Sequence, residues 1–80
     1  MVPKVVLHQV YFNSAHLGQT LRQIALPDGC YVLGLIRDSH VMMVCEDPIL
    51  QEQDWLIAVT PKEALAPELQ LCLGKVQVQS

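Results

Sequence analysis

The chain has 80 residues, a formal net charge of −3, and 51% apolar but only 16% charged residues. This composition fits one small folded domain, and it excludes a disordered chain and an enzyme that carries its own cofactor-binding domain. The five basic residues are scattered, which excludes a nucleic-acid stripe or a polybasic membrane patch, and the low charge content suggests that a partner covers part of the surface.

The first half of the chain predicts a strand, a short helix and a second strand. Residues 4–12 are rich in β-branched and aromatic side chains, which favours a strand. Apolar residues recur at helical spacing over residues 17–25, and the Pro-Asp-Gly turn at 27–29 ends this predicted helix. Residues 30–37 are apolar on both faces, so we expect a central strand that is covered on both sides.

The second half predicts two more strands and a last helix. A tight hairpin at residues 38–40 leads into a third strand over 41–45, antiparallel to the second. A polar loop follows, and then residues 55–60 predict a fourth strand. Residues 61–73 predict a helix, which Pro67 either kinks or divides into two short pieces because it removes an internal hydrogen bond.

The order of these elements, β-α-β-β-β-α, predicts an α+β fold with a mainly antiparallel sheet and helices packed on it. We expect a single domain over residues 1–80, with a core of residues 4–73 and a tail of residues 74–80. The longest apolar runs have five residues, whereas a membrane-spanning helix needs about 20, so we expect no direct membrane insertion by this segment.

The cysteines and histidines form no recognisable catalytic or metal motif. Cys30, Cys45 and Cys72 have no C-x-x-C spacing, and no histidine lies at a ligand spacing from them. Reduced thiols are the simpler interpretation, with Cys30 and Cys45 buried in apolar runs. We therefore predict no catalytic residue, no metal ligand and no bound cofactor, and a small thiol-dependent enzyme remains only as a minor alternative.

Three polar or aromatic residues have a structural interpretation that we prefer to a ligand role. Asp54 is expected to accept backbone N–H bonds in the turn before the fourth strand. Arg37 is expected to pair with Asp38 or Glu52 rather than with a phosphate. Trp55 begins an apolar strand, and we expect its side chain in the core.

Several short motifs, in their order and spacing, resemble the TrkA-C domain, which is the C-terminal lobe of RCK regulatory units. The motifs are Gly18-Gln19-Thr20-Leu21, Ala25-Leu26-Pro27-Asp28-Gly29, Gly34-Leu35-Ile36-Arg37-Asp38, the segment from Leu50 to Val59, and Pro61-Lys62-Glu63-Ala64-Leu65. The chain departs from the family pattern at Gln19, where lysine is common, and at Ser39 and Gln53, where glycine is common.

The resemblance implies a cytosolic regulatory domain of a bacterial ion channel or transporter for potassium, another cation or chloride. Such domains pair as homodimers, and a ligand bound near the pair interface biases the membrane-embedded domain to which they are tethered. The chain would then be an excerpt of a larger transport protein, on the cytoplasmic side of the inner membrane. A stand-alone dimeric adaptor is the main alternative.

Some members of the family bind cyclic di-AMP between paired domains, which implies a nucleotide or cyclic dinucleotide as a candidate effector. The polar positions of that binding pattern fall on Gln23, Ala25 and Tyr31 here, and all three residues differ from the pattern. We place the ligand or dimer interface on the second strand and the first helix. The residues predicted for it are Gln23, Tyr31, Val32, Leu33, Leu35 and Arg37.

Overall fold

The computed structural model describes residues 2–78, and these form a four-stranded antiparallel sheet with one α-helix. The strands are β1 (Lys4–Gln9), β2 (Tyr31–Arg37), β3 (His40–Met43) and β4 (Trp55–Thr60), and the helix is α1 (Ala66–Leu73). The strands lie in the order β1-β4-β2-β3, so β2 and β4 are the inner pair. This architecture confirms the predicted α+β class.

The core lies on one face of the sheet only. Leu35 of β2 and Leu56 of β4 point into it, and Leu69 and Leu73 of α1 pack over them, each at most 1% exposed. Burying a leucine in this way contributes about 1.5–3 kcal/mol, so these contacts fix which face of the sheet α1 covers.

The helix predicted for residues 17–25 is wrong, because only a single 3₁₀ turn forms, at Leu21–Gln23. Gly18 has a φ of 82°, and its N–H donates to the carbonyl oxygen of Leu50 rather than to its own segment. The residues at helical spacing do reach the core, since Leu21 and Ile24 are buried there. They reach it from an irregular segment that is hydrogen-bonded to the loop before β4.

The first strand ends three residues earlier than predicted. Val10 leaves the ladder to exchange two hydrogen bonds with the loop before β4, one with the Asp54 carbonyl at 2.8 Å and one with the Gln53 N–H at 2.7 Å. Tyr11 and Phe12 consequently lie exposed beyond the sheet. The pairing of β1 with β4 therefore stops where the turn before β4 begins.

The last helix forms as two short pieces, as predicted. A 3₁₀ turn at Glu63–Leu65 precedes α1, and Pro67 sits in the first turn of α1, where its missing N–H breaks no bond. The predicted tail is held by an isolated bridge between Val76 and Ser14 rather than by an edge strand. Residues 79 and 80 of this tail, and Met1, lie outside the described residues.

Two tight turns lie at the same end of the sheet, where β2 ends and β4 begins. In both turns, residues other than glycine adopt a left-handed backbone conformation. Asp38 (φ 51°) and Ser39 (φ 65°) form the two-residue hairpin between β2 and β3. Gln53 (φ 71°) lies just before β4. Ser39 and Gln53 are the two positions where glycine is common in the family pattern. Each therefore holds its backbone in a left-handed conformation that glycine adopts more easily.

Candidate functional site

The face of the sheet that points away from α1 is uncovered within the described chain and mainly apolar, with Gln9 of β1, opposite Trp55, as a polar side chain at the end next to the β2–β3 hairpin. Its apolar side chains, which we call the open face, are Val5 and Leu7 of β1, Tyr31, Leu33 and Ile36 of β2, Val41 and Met43 of β3, and Trp55, Ile57 and Val59 of β4. Tyr31 and Val5 are each 59% exposed. The prediction that β2 is covered on both sides is therefore corrected, because only its core face is covered by this chain.

A bulge in β2 decides which of its residues reach the open face. The pairing of β2 with β4 shifts between Val32 and Gly34, so both Tyr31 and Leu33 are exposed while Leu35 turns into the core. Val32 (7% exposed) and Leu35 (0%) lie where a partner cannot reach them, which corrects their predicted place in an interface. The interface role of Tyr31 and Leu33 stays a prediction.

The structure separates the other two predicted interface residues from the open face. The side chain of Gln23 accepts a hydrogen bond from the Thr20 N–H at 2.8 Å, in the segment that packs on the core side of the sheet. Arg37 lies at the end of β2, in a cleft at the edge of the sheet. The six predicted residues therefore do not form one surface. Tyr31 and Leu33 lie on the open face, and Arg37 lies in the cleft. Val32, Leu35 and Gln23 lie on the core side of the sheet.

The cleft has a volume of about 530 Å³ and lies between the two strained turns. Residues 36–39 form one wall, residues 51–55 form the other, and Gln9 closes the end. Ile36 and Trp55 belong both to the cleft and to the open face. The cleft therefore opens directly beside the apolar surface, with the indole of Trp55, which is 41% exposed, at the junction.

An ion pair between the partly buried guanidinium of Arg37 and the buried carboxylate of Asp54 lines this cleft. The Arg37 guanidinium donates from Nε to Asp54 Oδ1 at 2.8 Å and from Nη2 to Asp54 Oδ2 at 2.7 Å. This hydrogen bond to Asp54 is the main cause that raises the pKa of Arg37 above its ordinary value. The predicted partners of Arg37, Asp38 and Glu52, are wrong, because the turn at Gln53 brings the carboxylate of Asp54 under the guanidinium.

The interpretation of Asp54 as a turn acceptor is confirmed. Its Oδ2 accepts the backbone N–H of Gln51 at 2.8 Å, and the residue is only 1% exposed. Arg37 Nη2 also donates to the carbonyl oxygen of Ile49 at 2.8 Å, so the pair ties the end of β2 to the loop before β4. This pairing has no local signal in the sequence, because the two residues are 17 positions apart on different elements.

The charge in the cleft is negative overall. The positive charge of Arg37 is balanced by Asp54, whereas Asp38 and Glu52 lie exposed on the rim without a salt-bridge partner among residues 2–78. The same part of the chain contains no cluster of three histidine, cysteine or acidic side chains suited to hold a metal ion. The cleft therefore favours a cation over an anion electrostatically, but it offers no preformed metal centre.

The three cysteines are free thiols, and they differ in burial. Cys30 is buried as predicted, and Cys72 is half-buried. Cys45 is exposed, which corrects its predicted burial: it follows β3 on a 3₁₀ turn, Val44–Glu46, outside the sheet. His16 approaches Cys72 only through the backbone, since its Nε2 lies 2.8 Å from the Cys72 carbonyl oxygen.

Three residues of the open face were misplaced or missed by sequence reasoning. Trp55 is on the open face rather than in the core, as are Val5 and Leu7, to which no role was assigned. The residues on both faces of β4 are mainly apolar, so alternation alone does not say which face is covered. The only feature of the sequence that indicated an uncovered apolar surface was the low charge content of the whole chain.

Comparison with known proteins identifies the family. Residues 5–67 match the family model described as the TrkA-C domain. This range includes all four strands apart from Lys4, the first residue of β1, and with them the open face and the cleft. No curated protein matches the chain at a significant level. Within residues 2–78, no helix is long and apolar enough to cross a membrane.

Proposed function

The chain belongs to the TrkA-C domain family, a family of regulatory domains of ion transport proteins rather than of enzymes, and we propose that it is a ligand-sensing and dimerisation domain. The protein that it regulates is a bacterial ion channel or transporter for potassium, another cation or chloride. The domain acts on the cytoplasmic side, joined to the membrane-embedded part. The observation that carries this proposal is the position of the cleft beside the open face.

A ligand in the cleft would touch side chains that a partner also touches. Ile36 and Trp55 line the cleft and belong to the open face, so an occupant of the cleft changes the surface available for pairing. If the ligand prefers one arrangement of the pair, it shifts the population of that arrangement only by its difference in affinity. The coupling is reciprocal, because pairing then changes ligand affinity by the same factor.

Two ligand classes are candidates for the cleft. A nucleotide or cyclic dinucleotide can stack its base on the exposed indole of Trp55. Its phosphate would have to compete with Asp54 for the guanidinium of Arg37. A divalent cation would instead be attracted by the exposed carboxylates of Asp38 and Glu52. The two classes thus respond in opposite directions to a change of charge on the rim.

The test is a titration of the whole chain with nucleotides, cyclic dinucleotides, Mg²⁺ and Ca²⁺, followed by the emission of Trp55. This is the single tryptophan of the chain, and it lies at the junction of the cleft and the open face, so sedimentation at the same protein concentration separates an emission change caused by the ligand from one caused by pairing. We expect a saturable change with one class. Glu52→Lys is expected to lower affinity for a cation or raise affinity for a nucleotide about 3- to 10-fold, because it reverses a charge on the rim.

The matched control is Glu68→Lys, which makes the same charge change on an exposed residue of α1 that does not line the cleft. It is expected to leave the titration unchanged. An equal response of both variants, or no saturable change with any probe at millimolar concentration, contradicts ligand sensing in this cleft. Pairing without any ligand response is the result expected of a stand-alone dimeric adaptor.

A further inference from the structure

We infer that the cleft binds a small organic dication of the aliphatic diamine type, rather than a nucleotide or a bare metal ion. This inference rests on the proposed function, because it names the ligand class for the same cleft. Each wall of the cleft carries one exposed carboxylate, Asp38 on one side and Glu52 on the other, and the two walls meet at the apolar residues Ile36 and Trp55. Two positive ends joined by an apolar chain match this arrangement.

The two wall carboxylates are available to a ligand. Within residues 2–78 neither forms a salt bridge, and His40 Nδ1 lies 2.9 Å from the backbone carbonyl oxygen of Asp38 rather than on its carboxylate. With one arginine and three acidic side chains, the lining of the cleft has a net charge of −2. A dication therefore neutralises the lining, whereas an anion increases the imbalance of charge.

The single basic side chain of the lining is already engaged. Arg37 donates from Nε and Nη2 to the two carboxylate oxygens of Asp54, and Nη2 also donates to the carbonyl oxygen of Ile49. A phosphate would find only Nη1 without a partner in the described part of the chain, although a guanidinium binds phosphate best through two parallel N–H donors. A nucleotide would also bring its negative charge beside Asp38 and Glu52, so the cleft disfavours this ligand class.

The size and the lining of the cleft favour a molecule over a metal ion. Its volume of about 530 Å³ lies in the range of about 300–1,000 Å³ that is usual for small-molecule sites. Mg²⁺ and Ca²⁺ need about six or more oxygen ligands held close together, and residues 2–78 contain no suitable cluster of three acidic, histidine or cysteine side chains. An ammonium group needs no such shell, because it can donate separately to a carboxylate or to the amide oxygens of Gln9 and Gln51.

The apolar residues where the walls meet distinguish a diamine from other dications. Ile36 of β2 and Trp55 of β4 are directly opposite each other, so their side chains lie next to each other on one face of the sheet. The indole is 41% exposed, so methylene groups laid over it are removed from water, and an ammonium group above the ring is attracted by its π-electrons. Hydrated Mg²⁺ has the same charge as a diamine but gains neither contribution.

Isothermal titration calorimetry of the whole chain at one salt concentration compares putrescine, n-butylamine and Mg²⁺. Putrescine has two ammonium groups on a chain of four carbons, n-butylamine has one on a chain of the same length, and Mg²⁺ has the same charge without a chain. We expect putrescine to bind at least about 5-fold more tightly than either, because each wall carboxylate pairs with one ammonium group. Asp38→Asn and Glu52→Gln are each expected to lower the putrescine affinity about 3- to 5-fold, to that of n-butylamine.

Glu68→Gln is the matched control, because it removes a charge from an exposed residue of α1 outside the cleft and is expected to leave the putrescine affinity unchanged. Far-UV circular dichroism shows whether each variant is folded. Putrescine that binds no more tightly than n-butylamine or Mg²⁺, or an equal loss in the control and the wall variants, overturns the diamine. Ligand sensing in the cleft then still stands if a nucleotide or a metal ion gives a saturable Trp55 response, whereas no response to any probe overturns both.

Discussion

Replacing Asp54 with asparagine is expected to lower the free energy of unfolding by about 3 kcal/mol. The carboxylate accepts two hydrogen bonds from Arg37 and one from the backbone N–H of Gln51, and it is almost completely buried. Asparagine has one oxygen in place of two and presents N–H groups to these donors. The guanidinium is then left partly buried without its counter-charge, which is the costly outcome for an ion pair of this kind.

Urea denaturation of the wild type and of Asp54→Asn measures the loss of stability, and Asp38→Asn is the matched control. Asp38 is exposed and its φ of 51° suits asparagine, so the same chemical change is expected to alter stability by less than about 0.5 kcal/mol there. Equal losses of unfolding free energy in Asp54→Asn and Asp38→Asn would contradict a stabilising role for the Arg37–Asp54 ion pair.

The Arg37 side of this contribution does not depend on pH in the accessible range. Because the hydrogen bond to Asp54 raises the folded-state pKa of Arg37, the stability gained is fully present below the ordinary pKa of an arginine side chain. It is lost only as the pH rises through the raised folded-state value.

Replacing Gly34 with alanine is expected to lower the free energy of unfolding by about 3 kcal/mol, because the new Cβ has no space. An ideal Cβ at this position would lie 2.4 Å from the carbonyl oxygen of Met42 and 3.2 Å from the Cα of Met43. Both atoms belong to the backbone of β3, so relief requires the strand itself to move. The same movement would displace Val41 and Met43 and thereby disturb the open face.

Thermal and urea unfolding measure the effect, with Gly18→Ala as the control. Gly18 has a φ of 82° and nothing within 4 Å of an added Cβ, so that variant isolates the backbone cost, about 1 kcal/mol. A loss at Gly34 no larger than the loss at Gly18 would mean that β3 accommodates the methyl group and that the bulge is not held as tightly as the geometry indicates.

The strands could be predicted from the sequence because their residues are β-branched, aromatic and bounded by turn residues. The helix at residues 17–25 could not be excluded, since Leu21 and Ile24 do face the core at helical spacing. What prevents the helix is a set of hydrogen bonds to a distant loop, such as that from the Gly18 N–H to the Leu50 carbonyl. Local periodicity contains no information about such partners.

The candidate site could be predicted only in part, for two physical reasons. The residues on both faces of β4 are mainly apolar, so alternation could not separate its core side from the open face, and Trp55 was assigned to the wrong side. The bulge at Leu33 and Gly34 then breaks the alternation within β2 and buries Leu35. Neither a single-residue register shift nor the pairing of Arg37 with Asp54 has a local signature in the sequence.

The proposed dimerisation, with the open face as the covered surface, is tested most directly by the emission of Trp55 along a dilution series of the whole chain. Its indole is 41% exposed in the single chain and would be covered in the pair. The emission is expected at shorter wavelength in concentrated solution, with a shift to longer wavelength at the concentration where sedimentation shows the dimer to dissociate. The same long-wavelength emission at every concentration, together with a monomer in sedimentation, would contradict it.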